Sequence, residues 1–176
     1  LDVPKLDFFY LEDQNLKLNG NLPDVLDGAL LVSSIKFGEK LTGKANLIFP
    51  ATKTRMLINI CLHEDEKIYC SNVDLTDIDF DIIKEIGNIV LNSIVGEIGN
   101  YLNIDLNYSV PEVKVFNQID FRKDIKSKAH TYILILYITF IIDDIKIEGA
   151  IVIDFTLESI NTLMTKVNAI GDELNG

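Results

Sequence analysis

Tryptophan is missing from this 176-residue chain, and cysteine and histidine occur only twice each. Cys61 and Cys70 are too few for a disulfide framework. Cys61 lies in the apolar run Leu57–Leu62 and reads as a buried thiol. His63 and His130 are far apart, and no HExxH, CxxC or Cys/His cluster exists, which argues against a zinc ion held by the chain. Basic residues are scarce: 16 Lys and Arg stand against 27 Asp and Glu, a net charge of −11. Nucleic-acid binding needs a Lys/Arg surface to displace counterions, and an anionic membrane repels a chain of this sign, so neither partner is expected. The longest apolar run, Tyr132 to Ile142, is too short to span a bilayer as a helix; its β-branched and aromatic residues predict a buried strand. No signal peptide is visible, and the acidity fits a soluble cytoplasmic protein. A phosphate cradle is lacking too: there is no GxxxxGK(S/T), no Gly-rich loop ahead of a helix and no arginine cluster. Ser33 and Ser34 have neither a histidine nearby nor a nucleophile elbow.

What the chain does have is apolar mass. Hydrophobic residues make up 48% and charged residues 24%, the balance of a globular chain with one packed core. Strands are predicted at Lys5–Tyr10, Ala29–Phe37, Lys44–Phe49, Glu112–Phe116, Ala129–Ile142 and Lys146–Phe155, with turns at Gly38–Gly43 and Asp143–Asp144. Helices are predicted at Thr52–Leu62, Asp79–Leu102 and Leu157–Ile170. Asp77 or Asp79 is available to cap the second, and Gly171 to end the third. Long hairpins with a few helices predict an α+β fold, an antiparallel β-sheet with helices packed on it.

The chain also repeats itself faintly. Val3-Pro4-Lys5-Leu6-Asp7-Phe8-Phe9 parallels Val110-Pro111-Glu112-Val113-Lys114-Val115-Phe116 at an offset of 107, and Gly43–Phe49 parallels Gly149–Phe155 at an offset of 106. Few residues are identical, but the offset is nearly constant and a helix follows each second segment. This predicts a single domain of two pseudo-symmetric halves, about 1–75 and 76–176.

The predicted long helix carries the sharpest pattern. Asp81, Glu85 and Asn88, followed by Pro111, read D-x3-E-x2-N-x22-P. At about 100° per residue, Ile83, Ile86, Val90, Ile94 and Ile98 share one face, expected to be the core face, and Asp81, Glu85, Asn88 and Asn92 share the opposite one. A solvated helix face would also be polar. However, Asn costs up to ~0.7 kcal/mol relative to Ala in a helix interior, and Gly, here Gly87, about 1 kcal/mol. Gly87 alone also fits close helix–sheet packing. A side-chain amide can both donate to and accept from a water molecule, and a carboxylate one turn away can hold a partner's lysine. The pair suits in-line attack of water on a phosphoryl group, a reaction catalysed mostly by positioning and charge. With no cradle in this chain, the partner must bring the phosphate and the metal. Asp74, Asp77, Asp79 and Asp81 lack the glycine and closing glutamate of a calcium loop, so capping and solvation account for them.

These residues resemble the CheC/CheX/FliY family of chemotaxis phosphatases, whose signature is D-or-S-x3-E-x2-N-x22-P. Asp81, Glu85, Asn88 and Pro111 match it at every spacing, and the segments EIGNI and GKANLIFP are similar to the family as well. The resemblance covers essentially the whole chain. It implies a CheC-like fold and hydrolysis of the aspartyl phosphate of a CheY-like response regulator. Glu85 would contact the regulator's lysine and Asn88 would orient the attacking water. Asp81 would support the stripe, and Pro111 would set the turn into the following strand. No cofactor of the chain's own is implied; Mg2+ would belong to the regulator. The resemblance also implies an alternative, a non-catalytic adaptor that binds a CheD-type receptor deamidase or the flagellar switch.

CheC-type members carry the motif twice, and Pro4 in LDVPKLDFF matches Pro111 in YSVPEVKVF. The helix belonging with Pro4 would lie upstream of Leu1, so the expectation is a two-motif protein without its first motif helix. The other possibility is a single-motif protein closer to CheX. Without that helix, Phe8, Phe9, Leu30 and Val32 are expected to form an exposed apolar patch, and a homodimer through this first half follows from it.

Overall fold

The computed structural model describes residues 6–9, 28–62, 75–126, 132–142 and 145–175. Pro4, Cys70, both histidines and the predicted turn at Asp143–Asp144 lie outside them. In chain order the elements are β1 (Leu6–Phe9), β2 (Ala29–Glu39), β3 (Gly43–Pro50), α1 (Ala51–Cys61) and α2 (Asp77–Leu102). They continue with β4 (Leu106–Tyr108), β5 (Glu112–Asn117), α3 (Gln118–Lys126), β6 (Tyr132–Ile142), β7 (Ile145–Phe155) and α4 (Leu157–Asn175). The fold is α+β, with all described strands in one antiparallel sheet.

The sheet runs β1-β6-β7-β3-β2, and β4 and β5 lie one after the other along the outer edge of β2. Two hairpins, β2–β3 and β6–β7, meet at its centre where β3 pairs β7. Each hairpin is followed directly by a helix, α1 or α4.

Both faces of the sheet are covered. Leu31, Ile35, Leu47, Phe49, Ile151 and Ile153 point into a cluster shared with Leu57 and Ile58 of α1, Ile83, Leu91 and Val95 of α2, and Ile160 of α4. The alternate residues Leu30, Val32, Ile48, Ile133, Ile135 and Val152 form a second cluster under Phe121 of α3. The apolar run of β6 is buried on both faces only at Ile133, Leu134 and Ile135; Leu136 to Ile138 are half-buried and Ile141 is 67% exposed, so the expected buried strand holds for its first part alone. No helix among the described residues is long and apolar enough to cross a membrane.

Several expectations are corrected. Leu30 and Val32 are buried, at 0% and 1% exposure, so neither contributes to an open apolar patch; the side chains of Phe8 and Phe9, the other two residues expected there, lie outside what the structure describes. The reason is the second cluster, in which Phe121 packs, with its ring 5.8 Å from that of Phe116. Cys61 is exposed, because α1 ends on it. Gly171 does not end the last helix, which continues to Asn175. Two short elements, β4 and α3, carry too few residues to show a period and were not legible in the sequence.

Candidate functional site

The site is built on α2, and α2 is tied down at its start. Its N-cap is Thr76, not Asp77 or Asp79. Asp79 instead closes a capping box: Thr76 Oγ1 accepts from the Asp79 backbone N–H, and an Asp79 carboxylate oxygen accepts from Thr76 N at 2.7 Å. Arg55 of α1 donates from Nη1 to Asp79 Oδ1 at 2.8 Å. Burial alone would push the Asp79 carboxyl up; the bonds from Thr76 and the Arg55 guanidinium outweigh it and hold the group below its ordinary value. The other end stops at Asn103, whose left-handed backbone (φ 53°) turns the chain back toward β4.

Between these ends the helix is rotated from the face its isoleucines suggest. Its buried stripe is Ile83, Gly87, Leu91, Val95 and Gly99, while Ile86, Val90, Ile94 and Ile98 are only partly buried beside it. The cause is at Gly87. A Cβ there would stand 2.0 Å from Ser33 Oγ and 2.6 Å from Ser33 Cβ on β2, so only glycine allows this approach. Gly87 is thus a packing residue. Asn88 and Asn92 follow Gly87 and Leu91 by one position, about 100° around the helix. They therefore border the buried stripe and do not oppose it, and both are half-buried. Asp81, Lys84 and Glu85 lie farther out and are exposed.

The facing wall comes from the segment joining β4 to β5. β4 pairs with Phe37–Glu39 and β5 with Ala29–Ser34, and the ladder is interrupted between them. Ser109 bridges the gap: its N–H donates to Lys36 O at 2.8 Å, and its Oγ accepts from Lys36 N at 2.9 Å. Pro111 is buried immediately before β5. A residue without an N–H is tolerated at such a break in an edge ladder.

Helix and segment enclose an open groove of about 540 Å³. Asp81, Lys84, Glu85, Asn88 and Asn92 form its helix side; Tyr108, Ser109, Val110 and Pro111 form the other. All four residues of the spaced pattern therefore line one concavity. A smaller hollow of about 400 Å³ continues from it past Asp81, Lys84 and Pro111 toward Lys114. Burial pushes the Tyr108 phenol above its ordinary value. Asn92 Nδ2 donates to Asn88 Oδ1 at 2.8 Å.

Against solved structures, the chain is similar to the X-ray crystal structure of Thermotoga maritima FliY. The TM-score is 0.67 over 95% of this chain and 80% of that one, at 14% identity. The chain has the FliY fold. A chemotactic CheC-like protein from Shewanella oneidensis MR-1 is also similar, with a TM-score of 0.47 and 15% identity over 88% of this chain and 82% of that one. No family model matches the sequence, and no curated protein matches it. The FliY fold agrees with the resemblance carried by Asp81, Glu85, Asn88 and Pro111.

Within that fold, helix spacing grouped Asp81, Glu85, Asn88 and Asn92 of the helix side, and the resemblance added Pro111. Lys84, Tyr108, Ser109 and Val110 were missed. Val110 and Ser109 precede Pro111 directly, and that adjacency was the available signal.

Proposed function

We propose that this chain hydrolyses the aspartyl phosphate of a CheY-like response regulator and so terminates a chemotaxis signal. The observation that carries the reading is the groove in which Asp81, Glu85, Asn88 and Pro111 converge; the FliY fold supports it. The groove is open enough to be entered by another protein's surface. Glu85, exposed on α2, is free to pair with the regulator's active-site lysine. Asn88, one turn on and half-buried, is restricted enough to direct a water molecule. That water attacks phosphorus in line, the bond to the aspartyl oxygen breaks, and the carboxylate leaves. A water proton passes to a phosphoryl oxygen, giving inorganic phosphate and free aspartate. Mg2+ would be held by the regulator and neutralise the phosphoryl oxygens. Asp81 lines both hollows and borders the entry, while Pro111 shapes the far wall. The setting of such a reaction is the cytoplasm.

A binding-only reading draws on the same face. Ile78 and Ile89 of α2 and Val110 across the groove are 64%, 59% and 73% exposed, an apolar fringe suited to protein contact. On that reading the chain is an adaptor for a CheD-type deamidase or the flagellar switch. Release of inorganic phosphate from a phosphorylated CheY-type receiver separates the two. Acceleration by the wild type, abolished in Glu85→Ala/Asn88→Ala, supports the phosphatase. Binding of the receiver without acceleration leaves the adaptor.

A further inference from the structure

The side chains of Asn88 and Asn92 are joined in one direction. Asn92 Nδ2 donates to Asn88 Oδ1 at 2.8 Å, while Asn92 Oδ1 is buried and accepts nothing among the described residues. A leucine would fill the same place without leaving a buried carbonyl unpaired. The amide is therefore out of place as packing, and its one bond goes to the residue given the water-directing role. An asparagine amide rotates over a broad, two-fold χ2 well. A solitary Asn88 at the groove edge would present oxygen or nitrogen to a water in turn. The bond from Asn92 removes that freedom. It occupies one lone pair of Asn88 Oδ1 and leaves the second, with both Nδ2 hydrogens, for the groove.

We propose that Asn92 is a positioning residue for the hydrolysis: through its donated hydrogen bond it fixes the Asn88 amide, and with it the direction of the attacking water. The proposal rests on the phosphatase reading above. A water that donates to the remaining Oδ1 lone pair has its own lone pair turned toward a phosphoryl group docked in the groove. Asn92 itself touches no reacting atom.

The test compares wild type, Asn88→Ala, Asn92→Leu and Asn92→Asp in single-turnover and steady-state dephosphorylation of a phosphorylated CheY-type receiver, together with thermal melts. Asn92→Leu keeps the volume and removes the donor. Asn92→Asp accepts but cannot donate, and turns the Asn88 amide over. Both are expected to lower kcat about 10- to 100-fold with KM for the receiver within about twofold. Asn92→Leu is expected to melt no lower than wild type, since the unpaired carbonyl is gone. Full kcat in either variant, with an active wild type and an inactive Asn88→Ala, overturns the positioning role and leaves the phosphatase reading intact. A fall in kcat for Asn92→Leu matched by a lowered melting temperature makes Asn92 a structural residue and overturns the role as well. An inactive wild type overturns both readings.

Discussion

Ser33 occupies the space that a side chain at Gly87 would need. A Cβ at Gly87 would meet Ser33 Oγ at 2.0 Å and Ser33 Cβ at 2.6 Å, and this contact sets how α2 lies on β2. Because the obstruction includes a Cβ and not just a rotatable tip, Gly87→Ala must push the helix off the sheet. The expected loss is about 1–3 kcal/mol, the usual range for overpacking. Ser33→Gly in the same chain should restore part of it, whereas Ser33→Ala alone should be close to neutral, since Ser33 Oγ is buried without a partner among the described residues. Chemical denaturation of wild type, Gly87→Ala, Ser33→Gly, their double variant and Ser33→Ala checks this; additive losses in the double variant would refute the contact.

Gly96, on the same helix, should respond with the opposite sign. The nearest atom to a Cβ there is the Tyr108 hydroxyl at 3.3 Å, the far end of a side chain lining the groove. Gly96→Ala should gain up to about 1 kcal/mol of helix propensity with only a small shift of the ring. A midpoint lower than that of wild type would mean that Tyr108 cannot yield.

Asp79 makes stability depend on acid. Its carboxyl is held below its ordinary value in the fold, so the unfolded chain binds more protons and stability rises with pH. The contribution is complete above the unfolded value of about 3.9 and is lost as pH falls through the lowered folded one. Asp79→Asn, which weakens the capping box and the Arg55 pair, should cost at least about 1 kcal/mol at pH 7. The gap to wild type should shrink in strong acid. Urea titrations across pH 2 to 7 follow it, and a gap independent of pH would exclude this linkage.

Glu85 and Asn88 should separate in kinetics. On the proposed phosphatase reading, Glu85→Ala would take away the pairing with the regulator's lysine and should raise KM as well as lower kcat. Asn88→Ala should lower kcat by about 100-fold or more with receiver binding retained. Neither residue packs in the core, so both variants should melt near the wild type. Unchanged dephosphorylation by Asn88→Ala would remove it from the reaction.

Much of the fold was legible because strands and helices announce themselves locally. Ala29–Phe37 and Glu112–Phe116 fall within a residue or two of the observed strands, and the long helix within two. The buried face of that helix was misjudged for a specific reason. Glycine carries no hydrophobic signal, so Gly87 and Gly99, which lie in the buried stripe, did not count toward it. The cap was misplaced by one to three residues because Thr76 and two aspartates compete in DLTDIDFD, and only the arrival of Arg55 from α1 shows which carboxylate turns inward. The patch expected at Leu30 and Val32 failed because burial there depends on a cluster under α3, a helix too short to foresee.

Spacing along the chain was enough to group Asp81, Glu85 and Asn88, since residues on one helix stripe are near neighbours by geometry alone; Pro111 entered through the resemblance. It took the folded sheet to bring Pro111 across from them. Pro111 is 23 residues beyond Asn88 and reaches the groove only because β2 pairs with both β4 and β5 and holds Ser109 in the gap between. That placement arises from hydrogen bonds between strands distant in sequence, and no local pattern encodes them.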